Sequence, residues 1–351
     1  MKRKVTAFLA AAFIAISLVS CKGTSTEYYK SDLFALDTYI TFTVSDGERS
    51  KAAVEAAKNR IREIEERMSA TRPDSDISRI NENAGRQPVK VNPDTFFVIQ
   101  KALEYAALSD GSFDISMRPV SVLWDITGEN PRVPSPEEIE RALALVDYRK
   151  IRLDEQETTV YLEEEGMAID LGGIAKGYAG DEAVRILKEY GVKNGLINLG
   201  GNIVAVNGKA DGSPWHIGIQ NPREEDDEQK RKHVAIIDTS GDAIVTSGDY
   251  ERYMVEYYEQ TGIRYHHIFD PETGYPAKNG VISVSIVTES SIDADALSTS
   301  VFVMGVEIGL KLINRLEDVD AMIITEDKSI YFSEGFKDSV TNIHPDYKVV
   351  N

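Results

Sequence analysis

Two periods of apolar residues run along this chain. Phe34 to Val44 has the β-branched and aromatic richness of a strand. Val54, Ala57, Ile61, Ile64 and Met68 then recur at three and four residues and predict one apolar face of a helix. A second helix is expected from Asp94 to Leu108, ending before Asp110-Gly111, and a third from Ser135-Pro136-Glu137-Glu138, a capping-box start with proline in the first turn. Strands are expected over Lys150–Leu153 and Thr158–Leu162, followed by a helix over Gly173–Tyr190. Further strands are expected near 195–199, 203–206, 215–219, 234–237, 243–246 and 282–287. A helix pair over 291–304 and 306–316 precedes a last hairpin around Glu326-Asp327. Runs of strands with helices between them predict an α+β fold of largely antiparallel sheets with packed helices, without repeats or low-complexity stretches.

Composition narrows the class. The chain has 351 residues, 42% of them hydrophobic, enough to bury a sizeable core, and one cysteine, which excludes a disulfide scaffold. Its net charge of -19, with basic triplets only at Lys2-Arg3-Lys4 and Lys230-Arg231-Lys232, argues against binding nucleic acid through a basic face. The acidic-basic run Arg223 to Lys232 reads as a solvated loop.

The first residues read as an address. Lys2 to Lys4 form a positive n-region and Val5 to Leu18 an apolar run short for a bilayer span. Leu18-Val19-Ser20-Cys21 resembles the lipobox of bacterial lipoproteins, with the sole cysteine at the lipidation position. Residues 1–20 are therefore expected to be a lipoprotein signal, 21–32 a lipidated tether, polar from Thr24 to Lys30, and 33–351 one domain of two intimately packed subdomains. That places the protein, lipid-anchored, on the extracytoplasmic face of a bacterial membrane.

Chemistry gathers in three stretches. Ile169-Asp170-Leu171-Gly172-Gly173-Ile174-Ala175-Lys176-Gly177-Tyr178 opens a helix, where paired glycines permit close approach of a ligand and free N–H groups favour anions. It matches neither the Walker A loop nor the dinucleotide fingerprint, and a tight helix start with a surface lysine has the same spelling. In Asp293-Ala294-Asp295-Ala296-Leu297-Ser298-Thr299, positions 295, 298 and 299 share one helical face and offer a carboxylate and two hydroxyls. Hard oxygens suit magnesium, and helix capping is the competing explanation. In Tyr265-His266-His267-Ile268-Phe269-Asp270-Pro271, adjacent histidines on a strand face opposite ways, so one of them reaches a given pocket, as a general base or as a structural residue. No helical His-x-x-x-His spacing supports zinc.

Taken in order with Leu36-Asp37-Thr38, Met68 to Ser75, Ile80-Asn81, Gly111-Ser112-Phe113-Asp114, Trp124, Asn198 to Asn202 and Thr246 to Tyr250, these stretches resemble the ApbE family of FAD:protein FMN transferases from Phe34 to about Gly305. The resemblance implies a T-fold-like α+β architecture. It implies magnesium held by the Gly173 carbonyl, Asp295, Ser298 and Thr299, and FAD as substrate contacting Leu36, Thr71, Ser112, Phe113, Asp114, Asp170, Lys176 and the Phe269 region. His267 falls on the residue that activates the acceptor, with Lys176 as the second catalytic group. The implied reaction joins FMN to a threonine hydroxyl through a phosphoester and releases AMP. The implied acceptors carry an Asp-Gly-x-Ser/Thr-Gly-Ala/Ser-Thr type sequence and are subunits of ion-pumping redox complexes; no such sequence occurs in this chain. Two departures matter: Ser298 replaces a carboxylate of some relatives, and Thr71 stands where many transferases have tyrosine. A magnesium-dependent FAD pyrophosphatase and a non-catalytic flavin-binding lipoprotein are the alternatives.

Overall fold

A computed structural model describes residues 27–223 and 232–351. The expected signal segment, the lipobox-like stretch with Cys21 and most of the run 223–232 lie outside the described residues. The strands are β1 (Tyr28–Ala35), β2 (Thr38–Ser45), β3 (Val89–Lys90), β4 (Ile151–Asp154), β5 (Thr159–Leu162), β6 (Gly195–Leu199), β7 (Asn202–Val206), β8 (Trp215–Gln220), β9 (His233–Thr239), β10 (Ala243–Gly248), β11 (Val281–Thr288), β12 (Asp320–Thr325), β13 (Ser329–Phe332), β14 (Val340–Thr341) and β15 (Lys348–Val349). The helices are α1 (Ser50–Met68), α2 (Asp76–Glu82), α3 (Pro93–Leu108), α4 (Arg118–Trp124), α5 (Pro136–Leu143), α6 (Ala175–Glu189), α7 (Val255–Thr261) and α8 (Ser291–Ile313).

Nine strands make the main sheet in the order β1-β2-β6-β7-β10-β11-β12-β13-β15, antiparallel except for the β13–β15 pair. Its alternating side chains split between two cores. Ile40, Phe42, Ile197, Leu199, Val204 and Val245 face α1, α6 and α8, while Ala205, Ile244, Met322 and Ile324 face the small sheet β14-β9-β8. A third cluster, around Trp124, Val120, Ile139 and Phe269, sits apart. Helix α8 is apolar and long enough to cross a membrane, yet most of it is buried beside β10 and β11, as the core helix of this fold.

The periodicity places α1, α3, α5 with its capping box, α6 and the central strands where they occur. The expected helix pair occurs, the two helical runs of α8 meeting at Gly305, whose φ of 78° breaks the helical path. Two expectations are corrected. The single strand from Phe34 to Val44 is a hairpin, because Leu36 and Asp37 both turn into the left-handed region at φ 53° and 54° and the chain reverses between them. The tether expected over residues 21–32 does not hold to its end, since Tyr28 already lies in β1: its ring packs edge-on against Trp215 at 5.5 Å and its hydroxyl accepts from Ala210 N at 3.2 Å. Helices α2, α4 and α7, each of seven residues, were not expected, being too short to display a helical period.

Candidate active site

The order of the sheet brings the β1–β2 turn, the β6–β7 turn and the end of β10 to one end. Ile40 pairs with Leu199, and Asn202 with Val245. The turns touch: Gly200 has φ +61°, and a Cβ there would fall 1.9 Å from Thr38 Oγ1. Beneath them α6 and α8 cross unusually closely. A Cβ on Gly177 would lie 2.3 Å from the Ser291 carbonyl oxygen, so only glycine admits this approach.

That approach positions the Asp295 carboxylate. It is 3% exposed, and its Oδ2 accepts from Gly177 N at 2.9 Å, at the positive end of α6. Its Oδ1 faces the Lys176 ammonium at 3.7 Å, beyond hydrogen-bond distance, while Lys176 Nζ donates to the Gly172 carbonyl at 3.2 Å. One turn on, the buried Ser298 hydroxyl donates to the Asp295 carbonyl at 2.9 Å and lies 2.8 Å from Ser247 Oγ of β10. Thr299 completes the face: a Cβ on Gly173 would sit 3.6 Å from Thr299 Oγ1 and 3.1 Å from the Phe113 ring. Gly173, Lys176, Asp295, Ser298, Thr299 and Phe113 therefore converge, as their sequence stretches suggested.

The donor set fits magnesium. It is made of oxygen, it carries one carboxylate, and among the described residues no group of three or more His, Cys, Asp or Glu offers a competing centre. A cation on one carboxylate, hydroxyls and a backbone carbonyl completes its shell with water or phosphate oxygens. Lys176 places a positive charge beside this buried carboxylate.

Asp170 and Asp114 shape the adjoining wall. Asp170 Oδ1 accepts from Gly172 N at 2.7 Å and Oδ2 from Arg118 Nη1 at 2.8 Å, and Arg118 Nη2 donates to the Ala70 carbonyl at 2.8 Å. Asp114 accepts from Ser116 N at 2.7 Å, Ser116 Oγ at 2.6 Å and Tyr148 N at 3.0 Å; burial pushes its carboxyl up against the pull of these bonds. Both carboxylates hold backbone in place, and through them Phe113, Ser112 and the Gly172-Gly173 turn take their positions. Thr71 is exposed, its hydroxyl 3.1 Å from Ser69 Oγ, on a cleft of about 680 Å³ lined by Glu66, Arg67, Arg72 and Asp74. Leu36 donates its N–H to Glu65 Oε1 at 2.7 Å. Arg118 is the site residue that sequence reading missed; its one signal was a charge inside the otherwise uncharged Ile115 to Trp124 stretch.

The two histidines divide, although no strand forms here: His266 makes an isolated bridge with Tyr253 and His267 follows in a bend. His266 is 4% exposed, its Nε2 3.1 Å from the Ala277 carbonyl oxygen and its ring against Phe302 at 5.4 Å. It is structural. His267 is half-buried, and both its N and Nδ1 lie 3.1 Å from the Arg252 carbonyl oxygen, which assigns the proton to Nδ1 and leaves Nε2 free as an acceptor. Burial first, then Arg252, His266 and Lys176, push its pKa down to about 3, so the ring is neutral at ordinary pH. Arg252 Nη2 also donates to the Asp37 carbonyl at 3.1 Å, tying this strip to the hairpin turn. Phe269 lies deeper, 6.0 Å from the Trp124 ring, and Trp124 Nε1 donates to the Gly274 carbonyl at 2.9 Å. Phe269 thus belongs to the aromatic wall beneath His267.

Known proteins resemble this chain in sequence and fold. The sequence model of the ApbE family matches residues 36–323. The FAD:protein FMN transferase of Treponema pallidum is 36% identical over 338 residues, covering 92% of this chain and 91% of that one. A protein of the same description from Klebsiella pneumoniae is 34% identical, covering 83% and 88%. Among solved structures, the ApbE protein of Thermotoga maritima superposes with a TM-score of 0.80 at 37% identity, covering 89% of this chain and 99% of that one. The flavin transferase ApbE of Vibrio cholerae gives 0.79 at 28%, covering 90% and 99%. With the family's pattern matched from the hairpin turn to β12 and its fold reproduced across nearly the whole described chain, this protein belongs to the ApbE family.

Proposed function

We propose that this chain is an FAD:protein FMN transferase that uses magnesium and takes a threonine hydroxyl as its acceptor. The observation that carries the reading is the α6–α8 crossing, where a buried carboxylate, a lysine ammonium and helix-terminal N–H groups converge in an otherwise strongly acidic protein. A pyrophosphate needs just such local positive charge. The family relationship supplies FAD and FMN as the molecules handled.

The threonine oxygen attacks the phosphorus on the FMN side of the pyrophosphate, and the bond from that phosphorus to the AMP oxygen breaks. The hydroxyl proton passes to His267 Nε2, and AMP leaves carrying the displaced oxygen. Gly173, Asp295, Ser298 and Thr299 would hold magnesium. Bound there, the cation would supply positive charge that offsets the negative charge of the pyrophosphate. Lys176 moves from Asp295 to the phosphate oxygens, and the Arg252 carbonyl keeps the imidazole proton on Nδ1 so that Nε2 stays unprotonated and open to the threonine proton.

The second reading, FAD pyrophosphatase, draws on Thr71: it is exposed on an open cleft, and its small side chain gives less cover against water than a tyrosine. Residues 1–20 are proposed as a lipoprotein signal, with Cys21 as the anchor on the extracytoplasmic side. The acceptors are proposed to be redox-complex subunits bearing the Asp-Gly-x-Ser/Thr-Gly-Ala/Ser-Thr sequence.

The test incubates the full chain in detergent with FAD and magnesium, with and without such an acceptor domain, following AMP and acceptor mass. AMP that depends on the acceptor, with an FMN-sized mass gain, is the expected result. AMP without acceptor modification would establish the hydrolase, and no AMP a flavin carrier.

A further inference from the structure

We propose that Phe34 and Tyr39, an outward-facing aromatic pair at the tip of the β1–β2 hairpin, are the docking surface that selects the acceptor protein. They grip an apolar side chain of the acceptor a few residues from its reactive hydroxyl. The inference rests on the transfer reaction proposed above and names where its protein substrate binds.

The pattern of the hairpin singles the pair out. Leu33, Ala35, Ile40 and Phe42 point into the core, and the opposite face reads Lys30, Asp32, Phe34 on β1 and Tyr39, Thr41, Thr43 on β2. That outer face is polar until the last outward pair before the turn. Phe34 and Tyr39 are direct cross-strand partners, ring to ring at 5.4 Å and edge-on, and at 64% and 72% exposure they are the most exposed large hydrophobic side chains among the described residues. A scattered exposed ring needs no explanation, but two that stack only on each other in water form a small apolar shelf.

The position of the shelf names its occupant. Two residues beyond Phe34 the chain turns at Leu36-Asp37; the Asp37 carbonyl takes Arg252 Nη2, and the Arg252 carbonyl fixes His267. The shelf is therefore one turn and one arginine side chain from the proton acceptor, on the order of 10–15 Å, a span of three to five extended residues. Water and FAD have no use for an apolar shelf outside the pocket, whereas a polypeptide bringing a hydroxyl to His267 is long enough to reach it. A second copy of this chain is disfavoured because two rings supply far less than the roughly 800 Å² per partner of a stable interface. An anionic lipid surface is disfavoured by Asp32 on the same face and by the chain's net charge of -19. A protein met transiently, anchored by aromatic contacts, is what this surface suits.

The test compares the wild-type full chain in detergent with the double variant Phe34→Ser, Tyr39→Ser and with the conservative swap Phe34→Tyr, Tyr39→Phe. The probes are a soluble acceptor domain carrying the Asp-Gly-x-Ser/Thr-Gly-Ala/Ser-Thr sequence and a free heptapeptide of that sequence alone. The serine variant is expected to raise KM for the domain about tenfold or more, with KM for FAD and the heptapeptide rate unchanged and the swap restoring the domain. An unchanged KM for the domain would overturn the proposal. So would loss of self-association, in sedimentation, or of binding to anionic vesicles as the sole effect. A wild-type chain that modifies neither probe would refute the transfer reaction itself and the surface with it, a result the wild-type control separates from the others.

Discussion

The floor of the site and its rim are built differently. The floor, where Asp295, Ser298 and Lys176 meet, stands on two long helices and a central strand, with Gly177 letting the helices approach until backbone meets backbone. The rim, with His267, Arg252, Thr71 and the hairpin tip, stands on turns and short segments joined by a few hydrogen bonds, to carbonyl oxygens at His267 and Arg252 and to a hydroxyl at Thr71. The contrast separates two demands. Charge on a pyrophosphate requires donors fixed by packing, since low-dielectric placement makes them effective. Acceptance of varied protein partners requires a rim that small changes can re-aim without disturbing that floor.

The strongest way to break the comparison is to remove the floor's carboxylate. Asp295→Ala is expected to lower magnesium-dependent AMP release by about a thousandfold and to abolish its dependence on magnesium concentration; AMP release unchanged across a magnesium titration would sink the metal assignment. Next, His267→Gln is expected to slow transfer by roughly 10²–10³ while FAD binding, followed by flavin fluorescence, is kept. The same variant sharpens the pH argument. Because the folded pKa of His267 lies near 3, below the unfolded value near 6.5, the unfolded chain binds more protons between these values. The histidine therefore contributes stability that is present above pH 6.5 and lost as pH falls toward 3. His267→Gln should flatten that part of the acid-denaturation profile, and an identical acid slope in both proteins would contradict the depressed pKa.

A smaller effect tests the crossing itself. Gly177→Ala places a methyl against the Ser291 carbonyl and is expected to cost on the order of 2–3 kcal/mol, read as a lowered Tm together with weaker magnesium dependence; an alanine variant as stable as wild type would show that the helices separate freely. The smallest belongs to the seam between floor and rim. Arg118→Met frees Asp170 and the Ala70 carbonyl, partly exposed groups, so about 1 kcal/mol and a several-fold rise in KM for FAD are expected, with the rate at saturating FAD preserved.

The floor was legible in sequence because a helix repeats: residues 295, 298 and 299 share a face wherever the helix packs, and a glycine-rich start announces a close approach. What the sequence could not display is which helix comes close. Gly177 N and Asp295 are 118 residues apart, and their bond follows from the packing of α6 on α8. The rim was less legible for a related reason. The hairpin turn uses Leu36-Asp37 in place of the Asn-Gly that signals such turns, so a continuous strand was the natural expectation. His267 could be singled out as one of two adjacent histidines, but its tautomer depends on a carbonyl fifteen residues away. Arg118 sits ahead of a proline in a seven-residue helix that carries no period, and only its two partners reveal it.

Strand β1 also acts as a ruler. It begins at Tyr28 at one end of the sheet and delivers the chain to the Leu36-Asp37 turn at the other, a run of about 25 Å for its eight residues. Under the proposed anchoring at Cys21, the six residues Lys22 to Glu27 add a reach of about 20 Å. The chemistry would then work at a bounded height over the lipid, up to about 45 Å from it by these two lengths together. Acceptors in the same membrane would be sorted by how far their threonine stands above the bilayer before any contact is made. Lengthening or trimming the segment ahead of Tyr28 would retune that selection without altering one atom of the site.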